Sequence, residues 1–228
     1  MKIIELEEVD STNEYCKRED NGEDMIVVAE RQTEGKGTKG RSFSSRDGGL
    51  YVSVMRHFED FSAVNAFVIM VSGCVAVCKT LEEFGIKPVV RWANDVLVGG
   101  RKISGTLIEN TFSGGKIKRS ILGTGINVNN ILPCELSDVA VSMREINNGL
   151  LPYEKVRETF CRELVKNYTI DDYKRYIDWF GKQIILKTAF GERQATALDV
   201  EQDGSLVVSS DGKIEKISSA EVSLRFRL

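Results

Sequence analysis

The chain has 228 residues, of which 42% are hydrophobic and 29% charged, a balance typical of a globular protein with a sizeable core. Its formal net charge of -3 argues against bulk nucleic-acid binding, because the basic surface of such proteins is missing. One histidine and five cysteines without a C-x-x-C pair exclude a histidine-rich metal site and indicate reduced thiols in a cytoplasmic protein.

The N-terminal part of the chain predicts alternating helices and strands. An S-x-x-E capping box at Ser11 and Glu14 predicts the start of a first helix. Residues 25–30 and 48–56 are predicted strands, and residues 62–84 a long apolar helix. That apolar run is short for a membrane span and continues into charged positions, which favours a buried core helix.

Glycine pairs punctuate the central and C-terminal parts of the chain. Gly99–Gly100 and Gly114–Gly115 predict tight turns that join three antiparallel strands, and residues 153–168 have helical spacing. After Gly181 the chain changes to short strands separated by Asp-Gly turns. We therefore predict an α+β fold with a main domain at 1–180 and a small all-β domain at 181–228.

The most distinctive stretch is a glycine loop at residues 35–42, GKGTKGRS. It matches both the G-x-G-x-x-G dinucleotide fingerprint and, with arginine in place of lysine, a phosphate loop. Both motifs require a helix directly after the loop, whereas SFSSRDGGLYVSV predicts a turn and a strand. Two readings remain: a solvated surface hairpin, or a backbone cradle for an anion assisted by Lys36, Lys39 and Arg41.

Four short motifs follow one another in an order that resembles the biotin protein ligase family. They are Asp10 to Asn13, the glycine loop with Gln32, Trp92 to Asp95 with Arg101 and Lys102, and Gly123 to Asn127. The resemblance covers nearly the whole chain, since the tail AEVSLR is similar to the end of that family's SH3-like C-terminal domain. It implies a class II synthetase-like mixed or antiparallel sheet with helices, plus a small SH3-like β-barrel.

The resemblance also implies an activity. Members of the family activate biotin with ATP and Mg²⁺ to biotinyl-5′-AMP, and then transfer biotin to a lysine of a biotin carboxyl carrier protein domain. ATP with its Mg²⁺ and biotin are therefore the expected small molecules, with no metal bound by the protein alone. No DNA partner is expected, since the chain begins almost at the ligase core, and the short apolar run at 62–78 gives no reason to expect a membrane partner. A monomer and a homodimer are both open.

The family's site residues map onto this chain one by one. Polar side chains are expected around the biotin ring, loop backbone over its tail, and glycines where the ligand needs room. Ser11 has the alternative of merely capping its helix. The residues that the resemblance assigns to biotin are Ser11, Thr12, Asn13, Gln32, Lys36, Gly37, Thr38, Gly105 and Gly123.

The resemblance assigns the chemistry to three residues. Lys102 would bridge the biotin carboxyl oxygen and the α-phosphate, and Arg41 would hold the phosphate. Asp95 would orient, and also deprotonate, the incoming lysine amine. The residues implied for ATP are Lys36, Arg41, Asn94, Lys102 and Asn127.

Two departures from the family pattern concern the same site. Thr38 stands where the family often has an arginine that retains the adenylate, which predicts a leakier intermediate. The stretch RWAND replaces K-W-P-N-D, so that Arg91 keeps the charge without a compact ammonium group and Ala93 loses a rigid turn.

Two other functions remain as alternatives. A lipoate or octanoate ligase would share the core fold, although its glycine-rich R-R-x-S-G-G-G stretch is missing here. A non-catalytic module that binds biotin or a nucleotide would not need Lys102, Asp95 and Arg41 together.

Overall fold

The computed structural model describes residues 1–188, 191–218 and 223–226, with side chains for residues 1–187 and 191–218. Its backbone forms a seven-stranded mixed sheet flanked by helices and, toward the C-terminus, a five-stranded antiparallel sheet. The predicted α+β fold class is therefore confirmed. The division into domains at 1–180 and 181–228 stays a prediction.

The large sheet has the strand order β1-β2-β3-β7-β6-β5-β4. Its strands are β1 Lys2–Val9, β2 Met25–Gln32, β3 Leu50–Ser62, β4 Val89–Arg91, β5 Asp95–Val98, β6 Arg101–Ser113 and β7 Lys116–Ile126. β1 and β2 are parallel and all other neighbours are antiparallel. The glycine pairs do form the β5–β6 and β6–β7 turns, with positive φ at each glycine, which an L side chain rarely adopts.

Within the described part of the chain, five α-helices accompany the sheet: α1 Thr12–Arg18, α2 Ala66–Glu83, α3 Met143–Ile146, α4 Tyr153–Leu164 and α5 Ile170–Lys174. α2 covers one face of the sheet and belongs to the main hydrophobic core. α1 lies on the other face, where Cys16 packs with Met25 and Met55. These two layers leave the N-terminus of α1 beside the middle of β3 and β7.

Helix α2 is the apolar segment for which a membrane span had to be considered. By length and composition the stretch Ala63–Glu83 could cross a membrane, yet half of its most apolar window is buried inside the protein. Residues one and two turns apart, including Val71, Cys74 and Cys78, are fully buried against the sheet. α2 is therefore the predicted core helix.

The structure corrects several boundaries and adds strand β1 and the short helices α3 and α5. β3 continues to Ser62, so α2 begins at Ala66 rather than at 62, and α4 ends at Leu164 rather than at 168. β1 was not predicted, because its closely spaced glutamates obscure the apolar alternation. Its pairing with the buried strand β2, a tertiary contact, stabilises it in the extended conformation.

The C-terminal sheet has the order β11-β10-β9-β8-β12. Its strands are β8 Gln183–Thr188, β9 Gly191–Val200, β10 Leu206–Ser210, β11 Lys213–Ile217 and β12 Ser223–Phe226. The indole of Trp92 donates a 2.9 Å hydrogen bond to the Gly204 carbonyl, which joins this sheet to the β4–β5 connection. Of the tail motif AEVSLR, residues 220–222 lie outside the described residues.

Candidate active site

Two adjoining cavities open beside β5, β6 and β7. The inner pocket, about 460 Å³ of space between atoms, lies between the start of α1, the glycine hairpin and the centre of the sheet. The outer cleft, about 1650 Å³, extends from the same hairpin to the β4–β5 connection and the segment 132–140. Thr38, Phe43, Asn94 and Lys102 line both cavities, so the two form one continuous site.

The structure brings all of the sequence-predicted site residues to this site. The inner pocket contains the residues predicted for biotin: Ser11, Thr12, Asn13, Gln32, Lys36, Gly37, Thr38, Gly105 and Gly123. The outer cleft contains Arg41, Asp95 and Asn127, together with the shared Asn94 and Lys102. Their individual roles stay predictions.

A chain of buried hydrogen bonds forms the polar wall of the inner pocket. The Gln32 amide oxygen accepts from the Thr12 backbone amide at 2.8 Å and from the Thr12 hydroxyl at 3.1 Å. The Ser53 hydroxyl lies 2.7 Å from Thr12 Oγ1 and 2.6 Å from Asn13 Oδ1. Because each group restrains the next, the wall presents its donors and acceptors in a fixed arrangement.

Glu109, which lies on strand β6, orients the side chain of Asn13 on helix α1. Asn13 Nδ2 donates to Glu109 Oε2 at 2.8 Å, and Lys17 Nζ lies 2.6 Å from Glu109 Oε1. With Ser53 at Oδ1 and Glu109 at Nδ2, the Asn13 amide has one satisfied orientation. Sequence analysis missed Ser53 and Glu109, because each is an ordinary polar residue of a predicted strand and only the sheet register brings them to Asn13.

The prediction of a capping box at Ser11 is wrong, because Ser11 occupies the N-cap position without the capping hydrogen bond of its side chain. Ser11 is the N-cap residue of α1 with extended backbone (φ −155°), but its side chain makes no capping bond. Glu14 instead binds Lys17 at 2.9 Å and Lys36 at 2.6 Å. Glu14 thus connects α1 to the glycine hairpin, and these two ammonium groups lower the pKa of its carboxyl.

Two glycines keep space for functional side chains. A Cβ on Gly123 would overlap the Asn13 amide oxygen, and a Cβ on Gly105 would lie 2.7 Å from Lys102 Nζ. The family resemblance implies that both glycines make room for the ligand. In the structure, the space beside Gly123 is filled by the Asn13 side chain and the space beside Gly105 by the Lys102 side chain.

The glycine loop is a short hairpin closed on itself. Gly37 N–H donates to the Arg41 carbonyl at 2.7 Å and Phe43 N–H to the Gly35 carbonyl at 2.8 Å. The Arg41 guanidinium folds back, with its NH2 group 3.0 Å from Thr38 Oγ1. These two backbone amides therefore donate within the loop, and they could bind an anion only if the hairpin rearranged. The exposed cationic side chains of the loop, in contrast, already border the outer cleft.

An ion triad occupies the boundary between the two cavities. Asp95 Oδ1 lies 2.7 Å from Lys102 Nζ, and Asp95 Oδ2 lies 2.6 Å from the Arg91 guanidinium. Burial would raise the pKa of Asp95, but the charges of Lys102 and Arg91 and their hydrogen bonds outweigh it, so the net pKa lies below the ordinary value. Asp95 is therefore a carboxylate at neutral pH and a weak base.

Lys102 is fixed by its backbone and by an aromatic neighbour. Its N–H donates to the Val139 carbonyl at 2.8 Å, and its own carbonyl accepts from Val141 N–H at 2.9 Å. Its ammonium lies 5.5 Å from the centre of the Phe43 ring. The segment 132–140 is thereby attached to the edge of the outer cleft. The sequence alone assigns no role to individual residues of 133–152, and it does not predict Phe43 as part of the site.

The two asparagines predicted for the nucleotide are both bonded to the protein. Asn94 Nδ2 donates to the Thr106 carbonyl at 2.9 Å. Asn127 Nδ2 donates to the Val141 carbonyl at 3.2 Å, and Asn127 Oδ1 accepts from Asn130 at 3.0 Å. Asn127 therefore shapes the cleft by holding the 141 segment.

Comparison with known proteins identifies the class to which this fold and site belong. The family model "Biotin/lipoate A/B protein ligase family" matches residues 6–127, more than half of the chain, and "Biotin protein ligase C terminal domain" matches residues 180–225. The chain belongs to the biotin/lipoate A/B protein ligase family.

Two individual relatives show how similar the chain is to known ligases and how much of their length it matches. The chain is 29% identical over 218 residues to the bifunctional ligase/repressor BirA of Bacillus subtilis, covering 89% of this chain and 66% of that protein. It is 24% identical over 246 residues to BirA of Escherichia coli, covering 98% of this chain and 74% of that protein. The chain thus spans about two thirds to three quarters of the length of these relatives.

Solved structures resemble the chain along its length. The biotin protein ligase of Aquifex aeolicus in complex with biotin and ATP is 29% identical, with a TM-score of 0.76 and 98% coverage of both chains. An apo structure of the same ligase has a TM-score of 0.80 at 26% identity, again with 98% coverage of both chains.

Proposed function

We propose that the protein is a biotin protein ligase that converts biotin and ATP to biotinyl-5′-AMP and transfers biotin to a carrier-protein lysine. The observation that carries the proposal is the position of Lys102, whose side chain lines both the polar inner pocket and the cationic outer cleft. An ammonium group there can neutralise charge on both reactants, which otherwise repel each other. The Aquifex aeolicus ligase solved with biotin and ATP supports this assignment.

In the first step a biotin carboxylate oxygen attacks the α-phosphorus of ATP. The bond from that phosphorus to the bridging oxygen breaks, and pyrophosphate leaves. The Thr12–Gln32–Asn13 wall would hold the neutral, polar biotin ring. Lys102, moved from Asp95 toward the reacting oxygens, and Arg41 would stabilise the charge that develops at phosphorus.

In the second step a lysine amine attacks the carbonyl carbon of the adenylate and AMP leaves. We assign Asp95 the role of orienting the acceptor lysine, whose neutral amine makes the attack, once Lys102 has moved to the reacting oxygens. Its lowered pKa argues against Asp95 as the base that finally removes the proton. Water at the open cleft would accept the proton.

Mg²⁺ would enter with the nucleotide. Among the residues that the structure describes, no group of three or more His, Cys, Asp or Glu side chains could hold a metal ion. Asp95, Asn94 and Asn127 contribute side-chain oxygens to the lining of the outer cleft, a set that fits a metal already bound to phosphates better than a protein-bound one. The ion would supply charge neutralisation to the triphosphate.

Biotin is preferred to lipoate or octanoate as the acyl group, because an unbranched apolar acid does not use the polar wall. The match to the C-terminal domain of biotin protein ligases also favours biotin. A carrier domain as acceptor, a cytoplasmic location, the absence of a DNA or membrane partner and a homodimer remain predictions.

The test is pyrophosphate exchange into ATP, measured with biotin, lipoate and octanoate in parallel. Exchange with biotin alone would support the proposal. Exchange with octanoate or lipoate instead would move the protein to the sister activity. A folded chain that binds biotin but supports no exchange would be a binding module, contrary to the proposal.

A further inference from the structure

A third cavity, here called the rear pocket, lies on the face of the large sheet that α2 covers. It is an open groove of about 560 Å³, counting the space that is open to solvent, between β3, β7, the first half of α2 and the end of α4. Its walls are largely apolar, with Val54, Leu122, Val68, Ile69 and Leu164 among them. Asn13 and α1 lie on the other face, so the rear pocket is separate from the inner pocket.

One buried hydroxyl in the rear pocket is unpaired. Ser120 is 2% exposed, and its Oγ has no hydrogen-bond partner in the part of the chain that the structure describes. Leaving a buried hydroxyl without a hydrogen-bond partner is unfavourable, and a bound molecule or water commonly supplies that partner. The pocket therefore has a polar point in an apolar wall.

An arginine side chain lines the same pocket as that hydroxyl. Arg56 is directly opposite Ser120 in the β3–β7 register, and both side chains line the rear pocket. The Arg56 guanidinium carbon lies 5.5 Å from the centre of the Phe58 ring, while its Nε is 3.9 Å from Asp24, a long ionic contact. Lys166 provides a second cation in the pocket lining, and its ammonium group also forms an ion pair with Glu163.

We propose that the rear pocket binds an amphipathic carboxylic acid, with its carboxylate on Arg56 and Ser120 and its alkyl chain against the apolar wall. The serine O–H, the guanidinium and the ammonium are all donors, so the matching head is an acceptor with negative charge. The apolar wall then selects an aliphatic tail. This site is additional to the ligase site and does not depend on the proposed activity.

The experiment is a calorimetric titration of octanoate into the full chain in saturating biotin, which blocks the inner pocket. Wild-type protein should bind one octanoate per chain. Arg56→Gln and Ser120→Ala should each weaken binding about 5- to 10-fold, as expected for a charge-assisted and a neutral hydrogen bond. Octanamide, equally long but uncharged, should bind about tenfold more weakly. Arg175→Gln, at an exposed arginine outside the pocket, is the matched control and should bind normally.

Three outcomes would overturn the proposal: no saturable binding by folded wild-type protein, unchanged affinity in both variants, or equal affinity for octanamide. Arg56 is exposed, so its variant should fold even if Ser120→Ala does not. Failure of biotin to bind would count against the proposed ligase function alone. The dependence of octanoate binding on Arg56 would still decide the rear pocket.

Discussion

Lys102 Nζ lies 2.7 Å from Asp95 Oδ1, so the cation assigned to the phosphate is held by the carboxylate assigned to the acceptor amine. Arg91 holds the second oxygen of the same carboxylate. Replacing Lys102 therefore leaves Asp95 paired, and loss of activity can be attributed to the missing ammonium rather than to an unpaired buried charge.

Lys102→Ala should lower biotin-dependent pyrophosphate exchange by about 10²- to 10³-fold, the usual effect of removing one group that stabilises transition-state charge. Biotin affinity, measured by calorimetry without ATP, should change little. Lys118→Ala, at another lysine whose ammonium contacts only the Glu59 carbonyl in the described structure, should exchange normally. Equal losses of biotin binding and exchange would contradict the assignment.

Asp95 should not titrate in the pH range of the transfer reaction. Because its folded-state pKa lies below the ordinary carboxyl range, it stays ionised above that range and is protonated only in more acidic solution. Single-turnover transfer from preformed biotinyl-adenylate should therefore rise with pH only through the acceptor lysine. An inflection between pH 5 and 8 that disappears in Asp95→Asn would instead make Asp95 the base.

Thr38 is expected to weaken retention of the adenylate. The Arg41 guanidinium now donates to Thr38 Oγ1, and an arginine at position 38 would add a further cation at the mouth of both cavities. Thr38→Arg should reduce biotinylation of bystander lysines several-fold, about the effect of one charge-assisted hydrogen bond. Thr38→Ser keeps the hydroxyl and serves as control; equal bystander labelling in wild type and Thr38→Arg would refute the idea.

Gly123→Ala should disrupt the biotin wall without unfolding the sheet. The new Cβ would overlap the Asn13 amide oxygen and force that side chain away from Ser53 and Glu109. We expect biotin affinity to fall about 10- to 100-fold, equivalent to one or two lost buried hydrogen bonds. Gly149→Ala, where the added Cβ meets no atom within 4 Å, is the matched control. Unchanged biotin affinity in Gly123→Ala would show that Asn13 does not bind the ring.

Glu163 should make the free energy of unfolding depend on pH. Burial would raise its pKa, but hydrogen bonds from Lys166, Tyr168 and Arg162 lower it from 4.5 to about 2. A folded-state pKa below the unfolded value stabilises the protein above about pH 5, and this contribution disappears as the pH falls toward 2.

After allowance for the solvent-exposed lysine and arginine, Glu163→Gln should cost about 2 kcal/mol at pH 7. Urea unfolding at pH 7, 5 and 3.5 should show the difference from wild type shrinking at the lowest pH. Exposed Glu158 on the same helix provides the control variant Glu158→Gln. A cost that is independent of pH would mean that Glu163 acts through packing alone.

The sequence by itself determined most of the elements and most of the residues that form the site. Periodicity and glycine pairs predicted the β5–β6–β7 meander and the core helix, because turn geometry and apolar spacing are local properties. The missing helix after the glycine loop excluded both helix-dependent phosphate motifs, and β3 indeed follows that loop. The ordered motifs also selected residues such as Lys102 and Asn13, which the fold brings to one site.

Only the tertiary structure decided the partners of those residues. Strand β1 depends on pairing with β2, and Ser53, Glu109 and Phe43 reach the site through sheet register and a folded hairpin. The same holds for the rear pocket, where Arg56 and Ser120 are 64 positions apart (120 minus 56) but directly opposite in the sheet. Local spacing specifies helices, strands and turns, whereas contacts between distant strands are specified by how the whole sheet assembles.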